Sequence, residues 1–236
     1  MNATQEKQQV QMIRLRPAFA ENGDAREAYW TLRTNFLAQV GEKQVIAFTA
    51  FTAGNEKSAM VLTLGRDLSL LGKRVLVIDA DMRRSAIAAQ FGTPERRNGL
   101  SQYLSGQMEI GAAVAATQYA GLFLLPCGYY PPNPVELLEN ERFSDLLAAA
   151  RKVYDYVLID CPPMKRMIDA AVIAQNSDGV VPVIAEGVDR IREVYAGRQQ
   201  LERVGCSLVG AVLIGRKRHV LLGNRGNYGT GDQTKG

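Results

Sequence analysis

VIAFTAFTAGNEKSAMVLTLGRDLSLLGKRVLVIDADMRR, residues 45–84, reads as a strand, a glycine-containing turn, a helix and a second strand. Residues 45–50 (VIAFTA) and 75–79 (VLVID) are near-continuous apolar runs rich in β-branched side chains, which suit strands buried on both faces. Residues 58–71 between them carry helical spacing. Further along, residues 157–160 (VLID) and 180–185 (VVPVIA) repeat the strand pattern, and 122–125 (LFLL) and 208–214 (LVGAVLI) repeat it more weakly. Helical spacing recurs over 141–153, 169–175 and 190–204. Strands alternating with helices of this length predict βαβ units, hence a single α/β domain with a mostly parallel sheet and helices on both faces. Ahead of the first strand, residues 24–40 read as one helix, with Asp24 as N-cap and Gly41 as stop.

The composition narrows the function classes. Apolar residues make up 47% and charged residues 22% of the 236 positions, as in soluble globular proteins. No apolar run reaches the length of a membrane-spanning helix, and the polar start MNATQEKQQVQ has no secretory core. Cys127, Cys161 and Cys206 are odd in number and widely spaced, so they form neither a disulfide framework nor a paired metal cluster, and the cytoplasm is the expected compartment. His219 as the sole histidine argues against a His-based metal site or triad. A net charge of +4 does not argue for nucleic acid. The expected layout is a flexible segment over 1–23, a domain over 24–215, and a flexible tail over 216–236 that opens on RKRH and becomes glycine-rich.

Three strand ends carry the chemistry. The first strand runs into GNEKS, residues 54–58. Backbone N–H groups of Gly54 and Asn55, the Lys57 ammonium and the Ser58 hydroxyl are what a phosphate-binding loop needs, although an exposed lysine in a plain turn would read the same. The second strand ends in DADMRR. Asp79 and Asp81 lie two apart and project on one face at the edge where open α/β sheets bind ligands, with Arg83 able to meet phosphate; a capped turn is the alternative. The third strand ends at Asp160, stopped by Pro162 and Pro163. All three ends in this order point to a nucleotide site.

With these motifs in place, the chain resembles the bacterial tyrosine kinases of capsule and exopolysaccharide synthesis, in their stand-alone form. That family carries a phosphate-binding loop, then hhhDxD with an arginine, then hhhDxPP. The likeness extends through LPCGYYPPNPVELLENERFSDLL, residues 125–147, and through IDAAVIAQNSDGVV, and covers about residues 26–214. It implies a P-loop NTPase-like fold and ATP-dependent tyrosine autophosphorylation. It implies Mg-ATP as cofactor, with Lys57, Asp79, Asp81 and Arg83 catalytic, Gly54, Asn55, Lys57 and Ser58 on the nucleotide, and Ser58, Asp79 and Asp160 on the metal. It also implies a membrane polysaccharide co-polymerase as partner that recruits the chain to the inner face of the membrane, and a homo-oligomer; neither nucleic-acid binding nor membrane insertion is implied.

Several positions depart from the family pattern. Glu56 replaces the glycine before the lysine, where the backbone conformation costs other residues ~1–2 kcal/mol. Ala59 replaces a second hydroxyl, and Ile214 stands where an asparagine reads the base. The oligomerisation motif on the first helix is reduced to Glu27 and Arg33 with Trp30 between them, and Tyr228 is the one tyrosine of the tail, where the family has a phosphoacceptor cluster. The resemblance with these losses implies a regulatory pseudokinase. The alternatives are an active autokinase, or a partitioning or septum-placing ATPase, whose extra loop lysine is Thr52 here.

Overall fold

A computed structural model describes residues 12–15, 23–52, 54, 56–90, 98–164 and 167–215. The strands are β1 (Met12–Ile13), β2 (Val45–Ala50), β3 (Val75–Asp79), β4 (Ala115–Thr117), β5 (Leu122–Leu125), β6 (Tyr156–Asp160), β7 (Gly179–Ala185) and β8 (Val212–Ile214). They form one sheet in the order β1-β4-β5-β3-β6-β2-β7-β8. Every pairing is parallel except β4 with β5.

The apolar runs are continuous because each central strand feeds two cores. Val45 and Ala47 of β2, Leu76 and Ile78 of β3, and Val157 and Ile159 of β6 face one core. Ile46 and Phe48, Val75 and Val77, and Leu158 face the other. The first core is closed by α4 (Leu100–Leu104), α6 (Pro134–Glu139), α7 (Glu141–Arg151), α8 (Met167–Gln175) and α9 (Ile191–Arg203) through Leu100, Leu138, Phe143, Ile173 and Leu201. The second is closed by α1 (Gly23–Val40) and α2 (Glu56–Ser69) through Phe36, Met60 and Leu64. Gly65 lets α2 lie directly on the sheet: a Cβ there would stand 3.0 Å from Val77 Cγ2 and 3.1 Å from Leu122 Cδ1. The remaining short helices are α3 (Ala86–Gln90) and α5 (Ile110–Ala113).

This is the mostly parallel, two-sided α/β domain that the strand and helix spacing predicts. The differences lie at the margins. Residues 12–15 are not a flexible lead: β1 pairs with β4, Ile13 and Leu15 are buried, and Gln118 clamps Leu15 by accepting its N–H at 2.9 Å and donating to its carbonyl at 2.7 Å. Two-residue and three-residue strands carry too little periodicity to be read from sequence. The helix expected to start at the Asp24 cap starts at Gly23. β8 spans Val212–Ile214 alone, with Leu208 making a single bridge to Val180. The expected tail, Tyr228 included, lies outside the described residues. Among the described residues no helix is long and apolar enough to cross a membrane.

Candidate active site

The pairing register brings the three strand ends together. Asp79 at the end of β3 pairs with Asp160 at the end of β6, and Asp160 pairs in turn with Phe48 of β2, two residues short of that strand's end. From there the chain passes Thr52 and Gly54 and enters α2 at Glu56. Ala53 and Asn55 lie outside the described residues. Lys57 and Ser58, in the first turn of α2, are both buried and both turned onto Asp160. Lys57 Nζ forms an ion pair with Asp160 Oδ1, and Ser58 Oγ donates to Asp160 Oδ2 at 2.6 Å. One carboxylate thus ties the lysine and the hydroxyl of the loop to the opposite strand.

Asp79 is wholly buried. Its Oδ2 accepts from Ser85 Oγ, and its Oδ1 has no hydrogen-bond partner. Burial, and next the neighbouring Asp160 carboxylate, push its pKa up to about 8, against the opposing hydrogen bond from Ser85. Burial without a cation beside it therefore favours the neutral carboxyl. Asp81 is also raised by burial, while the backbone N–H groups of Arg84, at 3.0 Å, and Arg83, at 3.2 Å, pull it the other way.

The donor set fits a hard cation. An orphaned buried carboxylate oxygen, a second carboxylate beside it and a serine hydroxyl are the oxygen ligands that Mg²⁺ takes. Among the described residues no group of three or more His, Cys, Asp or Glu could hold a metal ion by itself. A Mg²⁺ here would complete its shell with phosphate oxygens and water, as it commonly does.

The other residues singled out in the sequence lie around this cluster or on α1. Arg83, read as a phosphate contact, forks onto Asp169 of α8 at 3.2 and 3.3 Å, because that buried carboxylate demands a cation. Glu56 is exposed, and its Oε2 folds back over the loop: a Cβ on Gly54 would lie 2.4 Å from it. Ile214 lines a groove of about 470 Å³ between α1 and β8, with Tyr29, Leu32 and Met60. On α1, Glu27 is exposed, Arg33 is half-buried, and Trp30 is 46% exposed with the Arg26 guanidinium 4.9 Å above its ring.

The structure adds residues that sequence reading missed. Thr52 Oγ1 donates to Asp189, whose other oxygen accepts Ala185 N–H at 2.7 Å, so the loop after β2 is tied to the end of β7. Ser85 links Asp79 to the backbone of Ala88, and Tyr130 reaches the same loop. The separations of 137 and 45 residues leave no local pattern from which either the Thr52 or the Tyr130 contact could have been inferred. The buried thiols of Cys127 and Cys161 are pushed up by desolvation, which makes them poor nucleophiles.

A family profile described as an AAA domain matches residues 43–194. Tyrosine-protein kinase CpsD of Streptococcus agalactiae is 33% identical over 210 residues, spanning 89% of this chain and 92% of that one. The chain belongs to the bacterial tyrosine kinase family. Among solved members of the family, the BceF tyrosine kinase domain superposes with a TM-score of 0.72 at 36% identity, over 80% of this chain and 76% of that one. The kinase domain of Escherichia coli tyrosine kinase ETK superposes with a TM-score of 0.76 at 31% identity, over 89% and 79%. In this bacterial tyrosine kinase domain, the loop between β2 and α2 and both carboxylate strand ends lie at one edge of the sheet.

Proposed function

We propose that the chain is a regulatory subunit of a cell-envelope polysaccharide synthesis and export system, a pseudokinase whose phosphate-binding loop no longer holds ATP effectively. It acts from the cytoplasm, recruited to the membrane by a polysaccharide co-polymerase. The observation that carries this reading is the Glu56 carboxylate folded over Gly54, on the loop that would wrap the phosphates. A carboxylate about 4 Å from a phosphate charge opposes it by ~4 kcal/mol in a surface-like dielectric. Half of that weakens binding by more than tenfold.

In the ancestral chemistry each retained residue has a task. Lys57 would leave Asp160 to meet the terminal phosphates, and Ser58, Asp79 and Asp160 would hold Mg²⁺, which when bound neutralises phosphate charge. Asp79, which burial favours in its neutral form while no cation lies beside it, would serve as the base toward an attacking tyrosine only once ionised beside Mg²⁺, with Asp81 supporting the metal. Arg83 would stay on Asp169 and brace the Asp81 loop against α8. The retained register of Asp79 beside Asp160, with Lys57 and Ser58 in place, favours the second reading, an active tyrosine autokinase.

Titration of Mg-ATP into the wild type and Glu56→Gly by calorimetry separates the two. The pseudokinase reading expects no resolvable affinity in the wild type and a gain of at least about tenfold in the variant. Micromolar binding by the wild type refutes it.

A further inference from the structure

Parallel strands start at one edge of a sheet and end at the other, so the edge opposite the cleft is built from the turns that feed β2, β3 and β6. These three turns are tied together. Arg74 N–H donates to Asp155 at 2.7 Å and the Arg74 carbonyl accepts Asp155 N–H at 2.8 Å, while Gln44 Nε2 donates to the Arg151 carbonyl at 3.4 Å. On this rim α2 ends. Its buried face runs through Leu64 and Leu68, then the N–H groups of Leu71 and Gly72 close onto the carbonyls of Leu68 and Ser69, and Gly72 turns the chain with φ +81°. The closed turn holds Leu70 and Leu71 outside the core, 69% and 51% exposed. It projects into open space, since a Cβ on Gly72 would meet nothing within 4 Å.

Two further observations separate this pair from leucines scattered singly over a surface. Cations surround it: Lys73, Arg74 and Lys152 are exposed and Lys43 is half-buried, against the carboxylates of Glu42 and Asp155, the second already accepting Arg74 N–H. A pocket of about 150 Å³ also opens on the rim beside Val153, itself 48% exposed. Its lining has no charged residue and includes Leu76, Ile110, Val114, Leu146 and Ala150.

We propose that this rim is a docking face for an anionic lipid surface. Leu70 and Leu71 enter the acyl boundary, the pocket at Val153 takes the end of an acyl chain, and Lys43, Lys73, Arg74 and Lys152 meet headgroup phosphates. A projecting leucine turn with no facing wall suits a fluid surface that closes around it better than a shaped groove on a protein. The proposal rests on reading the chain as a subunit at the inner face of the membrane, and adds a contact that the chain makes for itself. It also sets an orientation, with the cleft at the far edge of the sheet and open away from the bilayer.

The test floats the full chain, without nucleotide or co-polymerase, with vesicles of phosphatidylcholine alone or mixed equally with phosphatidylglycerol. The wild type is expected to bind the mixed vesicles, to leave them in concentrated salt and to ignore phosphatidylcholine. Leu70→Ser with Leu71→Ser, and Lys73→Glu with Lys152→Glu, are each expected to weaken binding at least about tenfold while thermal unfolding stays unchanged. Ile191→Ser with Tyr195→Ser alters exposed apolar residues of α9, beyond the other end of the strands, and is expected to change nothing. Vesicles are also expected to slow amide exchange over residues 70–74 and 152–155 of the wild type, a readout that needs no variant. Equal binding to neutral vesicles, leucine variants that bind like the wild type, or an unprotected rim overturns the proposal. So does binding to polyglutamate that matches the vesicles and survives the leucine changes, since that is charge alone. No vesicle binding beside a tenfold gain of Mg-ATP affinity in Glu56→Gly removes the rim and leaves the pseudokinase reading standing. Vesicle binding beside micromolar Mg-ATP affinity in the wild type does the reverse.

Discussion

Asp79 has no route to solvent and one oxygen without a partner, so its charge is the most expensive in the site. Its pKa, raised from 3.8 to about 8, means that the folded chain binds a proton there which the unfolded chain releases above pH ~4. The folded state therefore holds more protons between those values, and stability falls as pH rises through this window. Asp79→Asn removes the titration while keeping the shape, with an amide free to donate at the orphaned position. Thermal unfolding at pH 6 and pH 9 is expected to show a loss with pH in the wild type that is much reduced in Asp79→Asn. Parallel pH curves for the two proteins would contradict the shift.

At the scale of elements, Asp178 joins three pieces of chain. Its Oδ2 accepts the N–H groups of Gln44 and Val45 at 2.9 Å each, and its Oδ1 accepts from Arg151 at the end of α7 at 2.7 Å. Burial opposes its charge, but these donors outweigh that and hold its pKa below the usual value. Asp178→Ala leaves the N–H groups at the mouth of β2 unpaired and is expected to cost ~1–3 kcal/mol in urea unfolding. The same element shows where sequence reading succeeds and fails. β2, β3 and β5 match their apolar runs to the residue because both faces are buried, which removes ambiguity about their ends. Asp79, Asp160, Lys57 and Ser58 were legible because each follows a readable strand. Asp178, Thr52, Ser85 and Tyr130 were not, because their partners lie across the sheet and no spacing rule links them. The Arg83 pairing with Asp169 was out of reach for the same reason: the two are 86 residues apart.

For the whole molecule, the first helix carries the residues that the family resemblance assigns to an oligomer contact. Trp30 is the one tryptophan of the chain and stands 46% exposed, with the Arg26 guanidinium over its ring. If Glu27, Trp30 and Arg33 form an oligomer contact, Trp30→Ala should shift sedimentation velocity toward the monomer. It should lower unfolding free energy by about 1 kcal/mol, from the covered half of the ring and the Arg26 contact. A stability loss of several kcal/mol with unchanged association would place Trp30 in the domain's own packing instead.

The strand order also sets a timetable for synthesis. β2 and β3 are made one after the other, yet β6 lies between them in the sheet. A chain leaving the ribosome must hold a slot open between its first two central strands until residue 160 has emerged. β6 brings Asp160 with it, the residue that Lys57 and Ser58 hold. The centre of the sheet and the heart of its cleft are therefore completed by the same event.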